Sequence, residues 1–208
     1  LGDVYKRQAK AEGDSIVLDG VKTAVLNGSN ASYMIVTARE SGDVSARDGI
    51  SVFLVPTDSA GVSIQGFTTI DGRSSSEVKL EAVSVDASAR LGLSGKAAEA
   101  LILVNEKATL ACAAEALGAL ESMLHKTVEY SKTRKQFGTS IGTFQALQHR
   151  MADMFIQCQL ARAIVIRAAM KIDSSESTVE KAKAVSAAKS RIGYAIKAAV
   201  SESSFVIF

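Results

Sequence analysis

Residues 76–108 read SEVKLEAVSVDASARLGLSGKAAEALILVNEKA, and within them the chain changes its period. Val78, Leu80 and Val83 place apolar side chains on a nearly alternating beat, as a half-buried strand does. Past Gly92 that beat stops. Ala, Leu, Glu and Lys, all strong helix formers, follow without a proline. Strands before this joint and helices after it make the class α+β.

Upstream, SIVLDGVKTAVLNG holds two short runs rich in Val, Ile and Leu, joined at Asp19-Gly20. That dipeptide suits the positive-φ positions of a hairpin turn, so a hairpin is expected there. YMIVTARE (33–40) and ISVFLVPT (50–57) read as further strands around the polar segment SGDVSARDG, and GVSIQGF (61–67) and SEVKLEAVSVD (76–86) complete about six. The VFLV run reads as buried on both faces. An antiparallel β domain closed as a barrel or sandwich is the natural expectation for such a set.

Downstream, a helix is expected from about Gly95 to Arg134, with Leu101, Val104, Ala108, Ala111, Glu115, Leu117 and Leu120 on its inner stripe. Gly138 lies just beyond, with Lys132, Arg134 and Lys135 in the last turn. A second helix is expected after Thr143 as N-cap, running to about Ile172 with Phe144, Leu147, Met151, Met154, Phe155 and Cys158 on one side. A third begins at Ser177, where Glu180 completes a capping-box spacing, and continues to near Val200. Three helices joined by short loops should pack as antiparallel neighbours, the three-helix portion of an up-down four-helix bundle.

Composition narrows the function classes. The 208 residues carry a net charge of +2, which gives no reason to expect a nucleic-acid partner. The first 90 residues hold 9 Lys and Arg against 12 Asp and Glu, and the remaining 118 hold 15 against 10, so the helical half is mildly basic. That suits a phosphorylated small molecule. Cys112 and Cys158 sit in helical stretches among apolar neighbours and read as two buried thiols. With no CxxC pair and only His125 and His149, no metal site is expected. The apolar tract 151–170 is interrupted by Asp153, Arg162 and Arg167, so no membrane span is expected and the default location is cytoplasmic.

The stretch KTRKQFGTSIGTFQALQH (132–149) admits two readings. Cations near a helix C-terminus complement the macrodipole, at about 0.3–1 kcal/mol each. Alternatively, Arg134 offers a planar guanidinium to a phosphate, with Gln145 at the start of the next helix for a polar ligand edge. Spacing alone leaves both open.

The run TVEYSKTRKQFGTSIGTFQALQHRMADM (127–154) resembles a signature of the acyl-CoA dehydrogenase family, Y-x-x-x-R-x-Q-F-G followed by F-Q-x-x-Q-H-x-x-A-D-M. IVLDGVKTAVLNGSNASYMIVTAR (16–39) and SVFLVPTDSAGVSIQGFTTIDGRSSSEVKLEAVSVDASARLG (51–92) are similar to the family's middle β domain, and ACAAEALGALESML (111–124) to the first helix of its C-terminal domain. The resemblance spans about residues 9–202. It implies a middle β domain over 9–92 and a truncated C-terminal helical domain over 93–202.

What the resemblance implies for function is specific. Arg134 stands where the family's arginine contacts the FAD pyrophosphate, typically of a neighbouring subunit, and Gln145 where a glutamine also touches FAD. Gln136 and Phe137 flank the same adenine–pyrophosphate portion. Gln148 and His149 are implied to support helix packing. Ala24, Val25 and Leu26 fill the place of a W-I-T element beside the flavin, where backbone contacts would survive and a side-chain hydroxyl would not. The implied reaction is α,β-desaturation of an acyl-CoA thioester, with electron-transfer flavoprotein or a similar acceptor as partner and a homodimer or homotetramer as the assembly.

Departures from the family pattern carry expectations of their own. Glu106-Lys107-Ala108-Thr109 stands in place of a D-x-x-R element near the acyl or CoA portion. The general resemblance is to the branch acting on longer or dicarboxylic acyl groups. The family's catalytic glutamate and its Q-x-x-G-G segment lie downstream, and its T-E-P and G-S-D elements upstream, of the stretches matched. No residue of this chain is therefore expected to be catalytic. LGDVYKRQ (1–8) and the tail 203–208 match nothing in the family and are expected to be non-native. The leading expectation is a partial, inactive FAD-dependent dehydrogenase; the alternative is a non-catalytic subunit kept as an oligomerisation scaffold.

Overall fold

The computed structural model describes residues 8–43 and 45–207, and these fall into two compact units that divide between Leu101 and Ile102. The first unit is built on six strands: β1 (Gln8–Glu12), β2 (Ser15–Leu26), β3 (Tyr33–Arg39), β4 (Ile50–Pro56), β5 (Val62–Thr68) and β6 (Ser74–Asp86). Their order in the sheet is β4-β3-β1-β2-β6-β5. Neighbours are antiparallel except β1 and β3, which pair in parallel through Gln8 and Arg39. Among the described residues the sheet is open, with β4 and β5 at its two edges. The α+β class, with the β domain first and the helices after it, is as expected; of the two closures expected for the sheet, no ladder among the described residues closes it as a barrel. Leu18, Ala38, Phe53, Val55 and Val83, from four strands, are all fully buried in that core.

The hairpin expected at Asp19-Gly20 does not form. Residues 15–26 are one strand, and the tight turn lies earlier, at Gly13-Asp14, where Glu12 pairs with Ser15 and Gly13 has φ 63°. Asp19 instead faces a bulge in β6. Leu18 pairs with Val83 and Gly20 with Leu80, leaving Glu81 and Ala82 opposite one residue. The Asp19 Oδ1 accepts the freed Ala82 amide at 2.7 Å. This bulge also explains the step from Leu80 to Val83 in the buried face of β6. A second bulge lies on β2, where Thr23 and Ala24 oppose Glu77. In each bulge an alanine takes the positive φ, 49° at Ala82 and 55° at Ala24. On β4 the expected two-sided burial stops at Leu54, which lies on the exposed face opposite Ile35.

The second unit contains α2 (Gln145–Ile172), α3 (Thr178–Ile207) and all but the first turn of α1 (Ala98–Thr133). Contacts fix the helix directions. Leu120 and Glu121 of α1 meet Cys158 and Arg162 of α2, while the C-terminal end of α1 meets the loop leading into α2. Arg150 near the start of α2 pairs with Glu202 near the end of α3 at 2.7 Å, and Gln157 accepts from Arg191. Successive helices are therefore antiparallel.

The α2–α3 seam is lined by small side chains: Ala161, Ala168, Ala188, Ala195 and Ala199 are all fully buried. Leu120 and Met154 instead fill the space between α1 and α2. The buried stripe of α1 runs through Ala113, Leu120, Thr127 and Ser131, with Leu110, Leu117 and Leu124 partly buried beside it. Of the expected stripe, Leu120 is buried and Leu101 and Leu117 are partly buried. Val104, Ala108, Ala111 and Glu115 are exposed, because a 3.5-residue spacing traced back from Leu117 passes through Ala113 and Leu110 instead.

Four further expectations are corrected. Cys112 is exposed, one position off that stripe, whereas Cys158 is buried. Phe155 is 53% exposed, next to buried Met154. Thr143 does not cap α2: its hydroxyl donates to the Ser140 carbonyl at 2.7 Å, and Phe144 holds the N-cap position without a side-chain bond. The third helix continues past Val200 to Ile207, burying Ser203 and Val206. At its start Ser177 Oγ does accept the Glu180 amide, at 3.4 Å, while the Glu180 carboxylate pairs forward with Lys183.

Candidate functional site

The joint between α1 and α2 is a small built structure. The first helix ends at Thr133, so only Lys132 lies in its last turn, where it pairs with Glu129. Strands β7 (Lys135–Gln136) and β8 (Thr139–Ser140) then form a hairpin whose two central residues, Phe137 and Gly138, have φ 52° and 82°. Two consecutive positive φ values define a type I′ turn. Gly138 is thus the turn residue of a hairpin, one turn later than the helix stop expected from sequence.

Serines and glycine lock this hairpin to the helix end. Ser140 Oγ donates to the carbonyls of Ser131 at 2.7 Å and Lys132 at 3.1 Å, satisfying acceptors that the helix leaves unpaired. Gly142 passes so close that an added Cβ would meet Ser131 oxygens at 3.0 Å. The Gln148 side chain donates to the Gly142 carbonyl at 2.9 Å, and Ile141 donates its amide to the Arg134 carbonyl. Gln148 therefore holds the loop, while His149 beside it is exposed.

On this fixed frame the candidate residues present themselves outward. Arg134, Gln136 and Gln145 are exposed, and none of their side chains has a hydrogen bond or ion pair among the described residues. Phe137 is 93% exposed, held only by an edge-to-face contact with Phe144. The first turn of α2 contains no acidic residue and no side-chain cap, so no side chain offsets the partial positive charge at this helix end. A cation, an amide, an aromatic ring and an open helix N-terminus gather at one joint, a set suited to an anion joined to a flat ring. The signal that sequence reasoning missed was Phe144, placed on the helix face although it braces Phe137.

Ala24, Val25 and Leu26 lie in the other unit, at the end of β2. Ala24 and Asn27 both have φ 55°, so the chain between them is held in an unusual backbone shape. Its anchors are ladder pairs of Val25 with Ser76 and Leu26 with Ser75, and a hydrogen bond from Ser75 Oγ to the Val25 carbonyl. Leu26 is left exposed.

Each of the two units, the open sheet and the antiparallel helices, has known counterparts. The profile "Acyl-CoA dehydrogenase, middle domain" matches residues 2–83, and "Acyl-CoA dehydrogenase, C-terminal domain" matches 104–203. The chain belongs to the acyl-CoA dehydrogenase family. It is 33% identical to the probable acyl-CoA dehydrogenase YngJ of Bacillus subtilis (strain 168) over 84% of this chain and 47% of that protein. With the short-chain specific acyl-CoA dehydrogenase, mitochondrial, of Homo sapiens, it shares 30% identity over 90% of this chain and 46% of the relative. A crystal structure titled FAD-dependent dehydrogenase superposes with a TM-score of 0.86 at 28% identity, covering 96% of this chain and 54% of the other. The chain thus spans about half the length of the curated relatives it matches.

Proposed function

We propose that this chain contributes the middle and C-terminal portions of an FAD-dependent acyl-CoA dehydrogenase, and that Arg134 and Gln145 hold part of the cofactor. The observation that carries this is the unpaired, exposed Arg134 on a rigid hairpin joint. A guanidinium offers several donors in one plane and can grip a diphosphate through two at once. With no carboxylate neutralising it, Arg134 keeps its full charge for a ligand. Gln145 adds an amide at the open N-terminus of α2, and Gln136 another on the hairpin. Phe137 supplies a flat apolar face for an adenine ring, its position braced by Phe144. The bulged segment Ala24-Val25-Leu26 would offer backbone groups, not a hydroxyl, to the flavin ring.

When bound, FAD would accept the hydride in α,β-desaturation of an acyl-CoA thioester. The reading assigns proton abstraction to no residue of this chain. An assembly of two or four copies, in which Arg134 reaches FAD held by a neighbouring subunit, and an electron-transfer flavoprotein as acceptor complete the proposal.

The test is Arg134→Ala in the intact protein, followed by dialysis and flavin absorbance. Loss of a charge-assisted contact, about 1.5–3 kcal/mol, should lower FAD affinity by roughly one to two orders of magnitude. Full flavin retention would return Arg134 to the reading of a solvated helix end.

A further inference from the structure

Segment 87–97, which carries the chain from β6 into α1, lies along β4 with Ala89 as its only apolar side chain partly buried against the sheet core before Ala97. Leu91 and Leu93 are 46% and 78% exposed. What holds the segment is polar. Leu91 donates its amide to the Val52 carbonyl at 2.8 Å and Ala97 to Ile50 at 3.0 Å, and Gly49 donates to the Gly95 carbonyl at 2.8 Å. Between these main-chain bonds stands one carboxylate. Glu40 Oε1 accepts from Arg90 at 2.5 Å, and Glu40 Oε2 accepts from Ser94 Oγ at 2.7 Å and from Ser51 Oγ. Ser51, fully buried, accepts in turn from the Gly95 amide at 2.7 Å.

We propose that Glu40 is the keystone of a clasp that straps segment 87–97 onto β4 and so fixes where α1 begins. Four features support it. The carboxylate side chain is only 13% exposed, so its bonds face little competition from water. Its three donors come from β4 and from both ends of the strap, so one group joins what the sheet ladder does not. Arg90 also lies over the Phe53 ring, 5.7 Å from its centre, which directs the guanidinium inward. Finally, the loop on the other side is already held: Arg39 donates to the carbonyls of Ser41, Ala46 and Asp48, so Glu40 has a fixed base to pull against. The Lys96–Asp48 pair, at 3.1 Å, is well exposed and adds little.

The clasp is also built to open. Arg90 Nε is buried without a partner among the described residues, so the guanidinium is held by one arm. Removing the Glu40 charge leaves Arg90 with a second unmet donor set, a cost that releasing the strap to water relieves. Strap opening then precedes unfolding of the sheet as a separate local event.

Hydrogen–deuterium exchange on the whole chain reads this directly. In Glu40→Gln, amides of Leu91, Gly95 and Ala97 should exchange at least about tenfold faster, with β3 and β4 peptides unchanged. Unchanged exchange across the strap overturns the proposal. So does an equal rise in strap and sheet, because Glu40 would then be holding the sheet itself. If Glu40→Gln fails to fold, Ser94→Ala removes a single exposed arm and should raise the same three amides a few-fold; no rise there overturns the clasp as well.

Discussion

The rings of Phe137 and Phe144 stand edge to face, 6.2 Å between centroids and inclined by 74°, across the turn that joins α1 to α2. Phe137 holds this place at φ 52°, a conformation that costs a residue with a Cβ about 1–2 kcal/mol, while the ring contact contributes about 0.5–1.5 kcal/mol. The two nearly cancel. The ring therefore adds little to stability, in keeping with the role proposed for its exposed face.

Phe137→Gly should therefore change thermal stability by less than about 1 kcal/mol, strain relief offsetting the lost contact and glycine's entropy. Phe144→Ala, from a half-buried site, should cost about 1–3 kcal/mol. Thermal denaturation followed by circular dichroism compares them; a larger loss for Phe137→Gly would mean the ring serves the fold.

The two thiols should differ sharply in reactivity. Cys112 is exposed, whereas Cys158 is buried and its thiol is pushed up by burial, with the Glu121 charge adding to the effect. An aromatic disulfide reagent at pH 8 should label one cysteine at once and the second only on unfolding. Rapid labelling of both would place Cys158 at the surface.

Leu120 is fully buried between α1 and α2, beside Cys158, whose Sγ lies 3.9 Å from the Leu120 carbonyl. Leu120→Ala should cost about 2–5 kcal/mol, far above the roughly 0.5 kcal/mol or less expected for Val104→Ala on the exposed face of the same helix. Urea unfolding of the two variants separates the observed stripe from the one anticipated in sequence.

Glu40 should make the β unit sensitive to acid. Burial tends to raise its pKa, but bonds from Ser51, Ser94 and Arg90, with the Arg90 charge, outweigh burial and hold it below the ordinary 4.5. A depressed carboxylate contributes stability above its unfolded value and loses it as pH falls through the folded one. The stability gap between the parent and Glu40→Gln should thus be full at pH 6–7 and shrink below about pH 4.5, read from denaturant midpoints. A gap independent of pH would show that the carboxylate charge is not what the network uses.

The change of period near Gly92 made the order of strands and helices legible, because burial on one face imposes its beat on any sequence. The closing geometry was not. Asp19-Gly20 has the composition of a turn, yet Asp19 spends its carboxylate on a bulge amide contributed from 63 residues away. Ala24, Ala82 and Phe137 adopt positive φ without the glycine or asparagine that would advertise it. Arg134 and Gln145 stood out through family resemblance, and the structure adds that they share a joint stiffened by Ser140 and Gly142. Glu40 gave no sign at all, since its partners lie up to 54 positions along the chain.

The alanine seam between α2 and α3 limits how this protein can vary over time. Ala161, Ala168, Ala188, Ala195 and Ala199 are fully buried in the helical core, so a substantially larger replacement must strain the packing. Drift at these positions is thereby steered toward the smallest residues, and a lineage that enlarged one would have to shrink its neighbour across the seam in the same step.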